Sequence, residues 1–179
     1  MGIRHERARD HDGVRIVHRR SFGDHGTRVA ALVDALRRAD PAAVSLIHEQ
    51  DETPVGHVLF SKALLDAPRR LVDVQTLSPL AVLPEHRRLG IGVALVRQGL
   101  QELDERGVPL VFLEGDPAYY ARAGFTTAAE RGFRKPSLRI PDAAFQVVKL
   151  SAYEPWMTGT FVYPATFWDY DCVGLRDGS

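Results

Sequence analysis

Two adjacent arginines stand ahead of a Gly-x-Gly step in Arg87-Arg88-Leu89-Gly90-Ile91-Gly92. These residue types at this spacing suit a bulky anion. A helix opening at Gly90 leaves its first backbone N–H groups without internal acceptors and carries the positive end of its dipole there. Arg87 and Arg88 add full charge beside that end, and Gly90 and Gly92 let an anion approach the backbone closely. The combination reads as a pyrophosphate site. The nucleoside-triphosphate loop needs a Gly-Lys-Ser/Thr ending, which the chain lacks, and the dinucleotide fingerprint needs a third glycine where Leu95 stands. The plainer alternative is an ordinary strand–turn–helix corner with solvated arginines.

The run Arg87 to Gly92 also matches Arg/Gln-x-x-Gly-x-Gly/Ala, preceded by Leu80-Ala81-Val82-x-Pro84-Glu85 and followed by an apolar helix. A second motif, Tyr119-Tyr120-Ala-Arg-Ala-Gly124-Phe125, lies one helix and one strand further on. In this order the two resemble the GNAT superfamily of N-acetyltransferases, most of all its YhbS-type branch. The resemblance is specific over about residues 75–125. It implies an α/β (α+β) fold with a mixed, partly splayed central sheet flanked by helices. It also implies acetyl-CoA as co-substrate, held by Leu80, Ala81, Val82, Arg87, Arg88, Leu89, Gly90, Ile91 and Gly92. The activity implied is transfer of the acetyl group to a primary amine of a small molecule or peptide, by direct attack in a ternary complex. Tyr120 matches the family's usual acid position, and a backbone N–H near Leu80 to Val82 would face the developing oxyanion. No carboxylate occupies a motif position for the base; Asp73, Glu85, Glu114 and Asp116 are available but unassigned.

These residues need elements to position them. Leu71 to Leu83 reads as a long strand, with Ser78-Pro79 in its middle as an anomaly, since proline cannot donate to a ladder. Either the strand bulges there or it ends at Ser78; in GNAT proteins the corresponding strand is bulged and splays from the next one. The helix from Gly90 buries Val93, Val96, Leu100 and Leu103 and stops at Arg106-Gly107. Val108 to Leu113 is a continuous apolar run that suits a buried parallel strand. Pro117 opens a short helix capped by Asp116.

Upstream, Ile3 to Ala8 suits a first strand, and Asp10 can cap a helix towards Arg20. Thr27 can cap a second helix, with Val29, Leu32, Val33 and Leu36 at amphipathic spacing. Ala43 to Glu49 and Pro54 to Ala63 read as strands joined by a polar turn. Downstream, Thr127 to Arg139 reads as a loop and Ala144 to Leu150 as a last core strand. The tail from Tyr153 to Tyr170 holds nearly half of the chain's aromatics. It reads as an extra strand near Gly159 to Pro164, or as a wall of the acceptor pocket or a dimer surface.

At 179 residues the chain reads as one acetyltransferase domain, a core of about 1–150 with an extension at 151–179 packed on it. A formal net charge of zero argues against nucleic acid or an anionic membrane surface as partner, so anion binding must be local. The single cysteine, Cys172, rules out an internal disulfide and a cysteine metal cluster. His11, His18 and His25 recur every seven residues, but glycines interrupt the helix they would share, so no metal site is expected. His18 is a candidate for the acceptor cleft. There is no apolar run of membrane-spanning length and no apolar signal core. Met1-Gly2 is not followed by Ser or Thr at position 6, where Glu6 stands, so no myristoylation signal is read. Those features, with arginine far outnumbering lysine and no asparagine, suggest a cytoplasmic bacterial protein, monomer or homodimer. Two further readings of the anion site stay open: a non-catalytic acyl-CoA sensor, and a nucleotide-binding fold.

Overall fold

The apolar periodicities turn into nine strands and five helices over residues 2–176, which the computed structural model describes. Met1 and residues 177–179, on which the N-terminal signal reading and the end of the C-terminal extension fall, lie outside the described residues. The chain divides into two compact units, Met1–Ser61 with Ser78–Gln101, and Lys62–Leu77 with Glu102–Ser179. Strands β3 (Thr53–Asp66) and β4 (Leu71–Val82) each contribute to both.

In the first unit, β1 (Gly2–His5), β2 (Val44–Gln50) and β3 pair antiparallel, with Ile3 opposite His48 and Leu46 opposite Val58. The β2–β3 turn places Asp51 and Glu52 at φ of 49° and 61°, the left-handed pair that a tight hairpin requires. Helices α1 (His11–Ser21) and α2 (Gly26–Ala39) follow β1. Asp10 does not cap α1 as its position suggests. Its carboxylate accepts from Arg4 at 2.7 and 2.9 Å and from the Arg7 N–H at 2.7 Å, because a charged partner binds it more strongly than a helix end. Thr27 likewise lies inside α2 and is no cap, since a short 3-10 turn at Gly23–His25 runs straight into Gly26. β3 is covered on both faces as expected, and Val55 to Ser61 are all buried.

Helix α3 (Ile91–Glu105) lies close on β3. A Cβ on Gly99 would stand 2.1 Å from Phe60 Cε2, and one on Gly56 would stand 3.0 Å from Ile91 Cγ2. The buried face of α3 includes Leu95, and Val93 is only half-buried. The helix ends in the expected glycine stop: Gly107 takes φ of 77°, and the Val108 N–H donates to Leu103 O at 3.0 Å. β4 runs unbroken through Ser78-Pro79, whose peptide bond is cis, so the strand does not end at Ser78.

In the second unit, β4 pairs parallel with β5 (Leu110–Glu114) at only two positions, Gln75 with Val111 and Thr76 with Phe112. The ladder ends there, and the sheet is splayed. After β5 come α4 (Pro117–Tyr120), β6 (Thr126–Thr127), β7 (Phe133–Arg134), β8 (Phe145–Lys149), β9 (Gly159–Val162) and α5 (Ala165–Asp169). β8 lies antiparallel between β5 and β6. The 127–139 stretch is not all loop: β7 pairs parallel with β9, which in turn pairs with Leu64–Asp66 of β3.

Three of the seven tail aromatics, Phe161, Tyr163 and Phe167, are core, while Trp168 is exposed. Phe112, Phe133, Phe145, Phe161, Tyr163 and Phe167 stack or meet edge-on with centroids 4.6 to 5.8 Å apart. Such pairs contribute about 0.5–1.5 kcal/mol each beyond area burial. Among the described residues no helix is long and apolar enough to cross a membrane.

Candidate active site

β4 feeds the first unit's anion turn. A 3-10 turn at Pro84–His86 leads into Arg87 and Arg88, and Arg88 takes φ of 64°. Gly90 follows at φ of 78°, where a Cβ would meet nothing within 4 Å. Its left-handed backbone and the open space beside it are what a close anion contact needs. Helix α3 starts one residue later than the sequence suggests, at Ile91. The first bond into the helix is Ala94 N–H to Gly90 O at 3.0 Å. The N–H groups of Ile91, Gly92 and Val93 therefore precede any intrahelical acceptor, and among the described residues no side chain accepts from them. These three donors stand at the positive end of a 15-residue helix. The residues present fit a diphosphate.

The two arginines differ. The Arg87 guanidinium is held by the protein, donating to Val82 O at 3.3 Å and Ser21 O at 3.2 Å. Ser21 Oγ donates to the same Val82 carbonyl at 3.1 Å, so Arg87 braces the turn against α1 and the end of β4. Arg88 is exposed and makes no hydrogen bond or ion pair among the described residues. Leu89 is exposed too, at 69% of its surface. On β4, Ala81 is buried while Leu80 and Val82 are half-buried. Glu85 is paired with Arg20 at 2.8 Å; a hydrogen bond from its own backbone, followed by the one from Arg20, holds its carboxyl below the usual range.

Tyr120 belongs to the second unit. Asp116 Oδ1 accepts from Ala118 N–H at 2.9 Å and starts α4, and Gly124 at φ of 90° ends the following turn. The Tyr120 ring meets Tyr119 edge-on at 4.9 Å and Phe125 at 5.9 Å. It also lies against Gly115, where a Cβ would stand 2.5 Å from Cε2. Its hydroxyl has no hydrogen-bond partner among the described residues. Burial, with the nearby Tyr119 and Asp116, pushes its pKa up, so it keeps its proton through the physiological range.

The other carboxylates are occupied. Asp73 pairs with Lys62 at 3.3 Å and not with Arg69 or Arg70, which lie over the Trp156 ring at 5.2 and 5.1 Å. Glu114 accepts from Tyr163 Oη at 2.6 Å and from the Gly174 N–H at 3.0 Å. Burial raises its pKa against those two hydrogen bonds. Its role as the anchor of the tail was not legible, because nothing in the spacing relates Glu114 to Tyr163. His18 is not exposed to any cleft; it has no accessible surface.

The profile of the Acetyltransferase (GNAT) domain matches residues 2–128. The chain belongs to the GNAT acetyltransferase family. It is 33% identical to the uncharacterised N-acetyltransferase YjhQ of Escherichia coli, over 84% of each chain. It is 36% identical to the uncharacterised N-acetyltransferase YhbS of the same species, over 84% of this chain and 88% of that one. Among solved structures, E. coli YhbS in complex with CoA has a TM-score of 0.82 at 33% identity, covering 92% of this chain and 90% of that one. A GNAT acetyltransferase from Brucella melitensis with acetyl-CoA has a TM-score of 0.73 at 32% identity, covering 92% and 96%. The mixed, splayed sheet with flanking helices is the GNAT fold, as the motifs implied.

Proposed function

We propose that this GNAT chain is an acetyl-CoA-dependent N-acetyltransferase. It moves the acetyl group to a primary amine of a small molecule or peptide by direct attack in a ternary complex. The observation that carries the reading is the run of unpaired backbone N–H groups at the start of α3, opened by Gly90 and flanked by Arg88. Diphosphate oxygens meet those N–H groups as charge-assisted hydrogen-bond acceptors. Arg87 holds Val82 O and Ser21 O and so sets the shape of the turn. Backbone groups of Leu80 to Val82 face the thioester arm in this reading, and Tyr120 protonates the departing sulfur. The chain acts as one acetyltransferase domain in a bacterial cytoplasm, as monomer or homodimer. Its curated relatives, two N-acetyltransferases of E. coli, support the amine acceptor.

The turn is tested by Arg88→Glu combined with Gly90→Glu. A unit charge pair at 4 Å interacts by about 1 kcal/mol in bulk water and about 4 near a protein surface. Exchanging one attraction for two repulsions therefore lowers acetyl-CoA affinity by at least ~10²-fold, read by calorimetry. Unchanged affinity would remove the assignment. The activity is tested by release of free CoA thiol against a panel of amines. Tyr120→Phe is expected to lower kcat by about 10²-fold, the lower range for a general acid. Some activity survives, because a thiol of pKa about 8.5 leaves tolerably without help. A Tyr120→Phe enzyme with full kcat would take the acid role from this residue.

A further inference from the structure

The first unit links the side chains of Glu6, Ser45, His57 and His18 in one hydrogen-bonded chain, with steps of 2.5, 2.9 and 2.7 Å. The second unit buries a polar side chain of its own at Gln146 of β8, only 1% exposed. It stands between Phe145 and Val147, both buried. A buried amide costs free energy unless its hydrogen bonds are made. Neither of the two motifs accounts for it.

Those hydrogen bonds show what Gln146 does. β5 and β8 run antiparallel, with Leu113 opposite Gln146 and Glu114 opposite Phe145. One step further, the Gly115 N–H donates to Ala144 O at 3.0 Å. Such a pair in an antiparallel ladder exchanges both bonds, so the Ala144 N–H should donate back to Gly115 O. That donor is already used: it bonds Pro141 O at 3.0 Å, in the turn that leads into β8. Gly115 O is left without its ladder donor. Gln146 Nε2 supplies one at 3.0 Å, and the same amide reaches Ala144 O at 3.3 Å. A side chain thus completes the ladder where β5 gives way to α4.

Gly115 is also where Tyr120 rests. A Cβ on Gly115 would stand 2.5 Å from Tyr120 Cε2 and 3.1 Å from Cδ2. The backbone of Tyr120 is tied locally, its N–H to Asp116 O at 3.2 Å and its O to the Phe125 N–H at 3.2 Å. Its hydroxyl has no hydrogen-bond partner among the described residues. The place of that hydroxyl is therefore set by what the ring packs on, and the bare backbone of Gly115 is a seat that no side chain could share.

We propose that Gln146 is a positioning residue for Tyr120. By holding the Gly115 carbonyl it fixes the seat of the ring, and with it the place of the hydroxyl. This rests on the reading of Tyr120 as the acid of acetyl transfer. A misplacement of about 1 Å can cost about 10²-fold in rate, so a residue with no contact to substrate can matter as much as the acid it holds.

The test is a set of variants of the full chain. Gln146→Glu keeps the size of the side chain and replaces the donor by an acceptor; Gln146→Leu removes the amide altogether. Each should lower kcat for amine acetylation by about 10-fold to 10²-fold and leave acetyl-CoA affinity unchanged. In a Tyr120→Phe background the same substitutions should change kcat by no more than about 2-fold, because the hydroxyl they misplace is gone. Equal losses in both backgrounds would make Gln146 a structural residue only and overturn the proposal, as would wild-type kcat in both variants. If neither variant folds, Gly115→Ala decides, since its methyl meets the Tyr120 ring and the ring can give way. A loss of kcat confined to the enzyme with Tyr120 supports the seat, and no loss overturns it. Tyr120→Phe with full kcat strikes the acid reading, and this proposal with it. NMR of the tyrosine rings separates that case from a failure of the seat: the Tyr120 signals shift between wild type and Gln146→Glu where Gln146 holds the seat, and signals that stay in place overturn the proposal.

Discussion

Glu6→Ala is expected to destabilise the protein by about 3 kcal/mol or more, read as a fall in the urea midpoint. The carboxylate accepts from Arg37 Nε at 3.0 Å and from its Nη2, and from Ser45 Oγ at 2.5 Å, with His57 Nε2 at 3.8 Å. Removing it leaves donors on two elements, Arg37 of α2 and Ser45 of β2, without this acceptor. Breaking a buried ion pair by truncating one partner costs about 3–5 kcal/mol. Arg37 retains Asp34 at 2.5 Å, which puts the expectation at the lower end. Against a total stability of about 5–15 kcal/mol, that is a large share. A loss under about 1 kcal/mol would mean that the carboxylate is not the hub of this network.

The same network makes the fold acid-labile, and the direction can be worked out. Burial lowers the native pKa of His18 and His57 below the unfolded imidazole value of 6.5. Below that pH the unfolded chain binds protons that the native chain does not, so stability falls. The native carboxyl of Glu6 is depressed below 4.5, so its contribution is present above that pH and is lost as acid protonates it. Both effects have one sign. Stability is full above about pH 6.5, begins to fall below it, and falls further under pH 4.5. A urea midpoint flat from pH 7 to pH 5 would contradict the neutral buried histidine pair.

The second large effect is expected at Gly26, the first residue of α2. Helix propensity alone favours Gly→Ala by about 1 kcal/mol. Here a Cβ would stand 2.4 Å from Arg19 O and 2.6 Å from Arg19 Cα. Those are backbone atoms of α1 and cannot swing aside. The helices would have to separate, loosening the contact of Val14, Val33 and Ile47, each at 1% exposure or less. Overpacking a filled interior costs about 1–3 kcal/mol, and a backbone obstacle places Gly26→Ala at the upper end. The clash outweighs the propensity gain, so thermal melting should drop. A rise in melting temperature would show that α1 and α2 can part freely.

Local chemistry was readable in the residues themselves. The strand–turn–helix around Arg87 to Gly92 follows from where glycine, proline and apolar residues fall. Positive φ at Gly90, the Asp116 cap and the Gly107 and Gly124 stops depend on only a few neighbouring residues. The buried character of β3 and the order of both motifs likewise come from short-range pattern, and with them the GNAT family.

What depended on tertiary structure was the pairing of residues far apart in the chain. The sequence shows Arg87 and Arg88 as alike, but folding turns one to the carbonyls of Ser21 and Val82 and leaves the other exposed. Asp10 looks like a cap until Arg4 reaches it, and Glu114 looks like a spare acid until Tyr163 and Gly174 close on it. Nothing in the spacing of Glu6, His18, Ser45 and His57 relates them. They become one hydrogen-bonded chain only because buried polar groups must be satisfied by whatever the packing of α1, α2, β2 and β3 brings within reach.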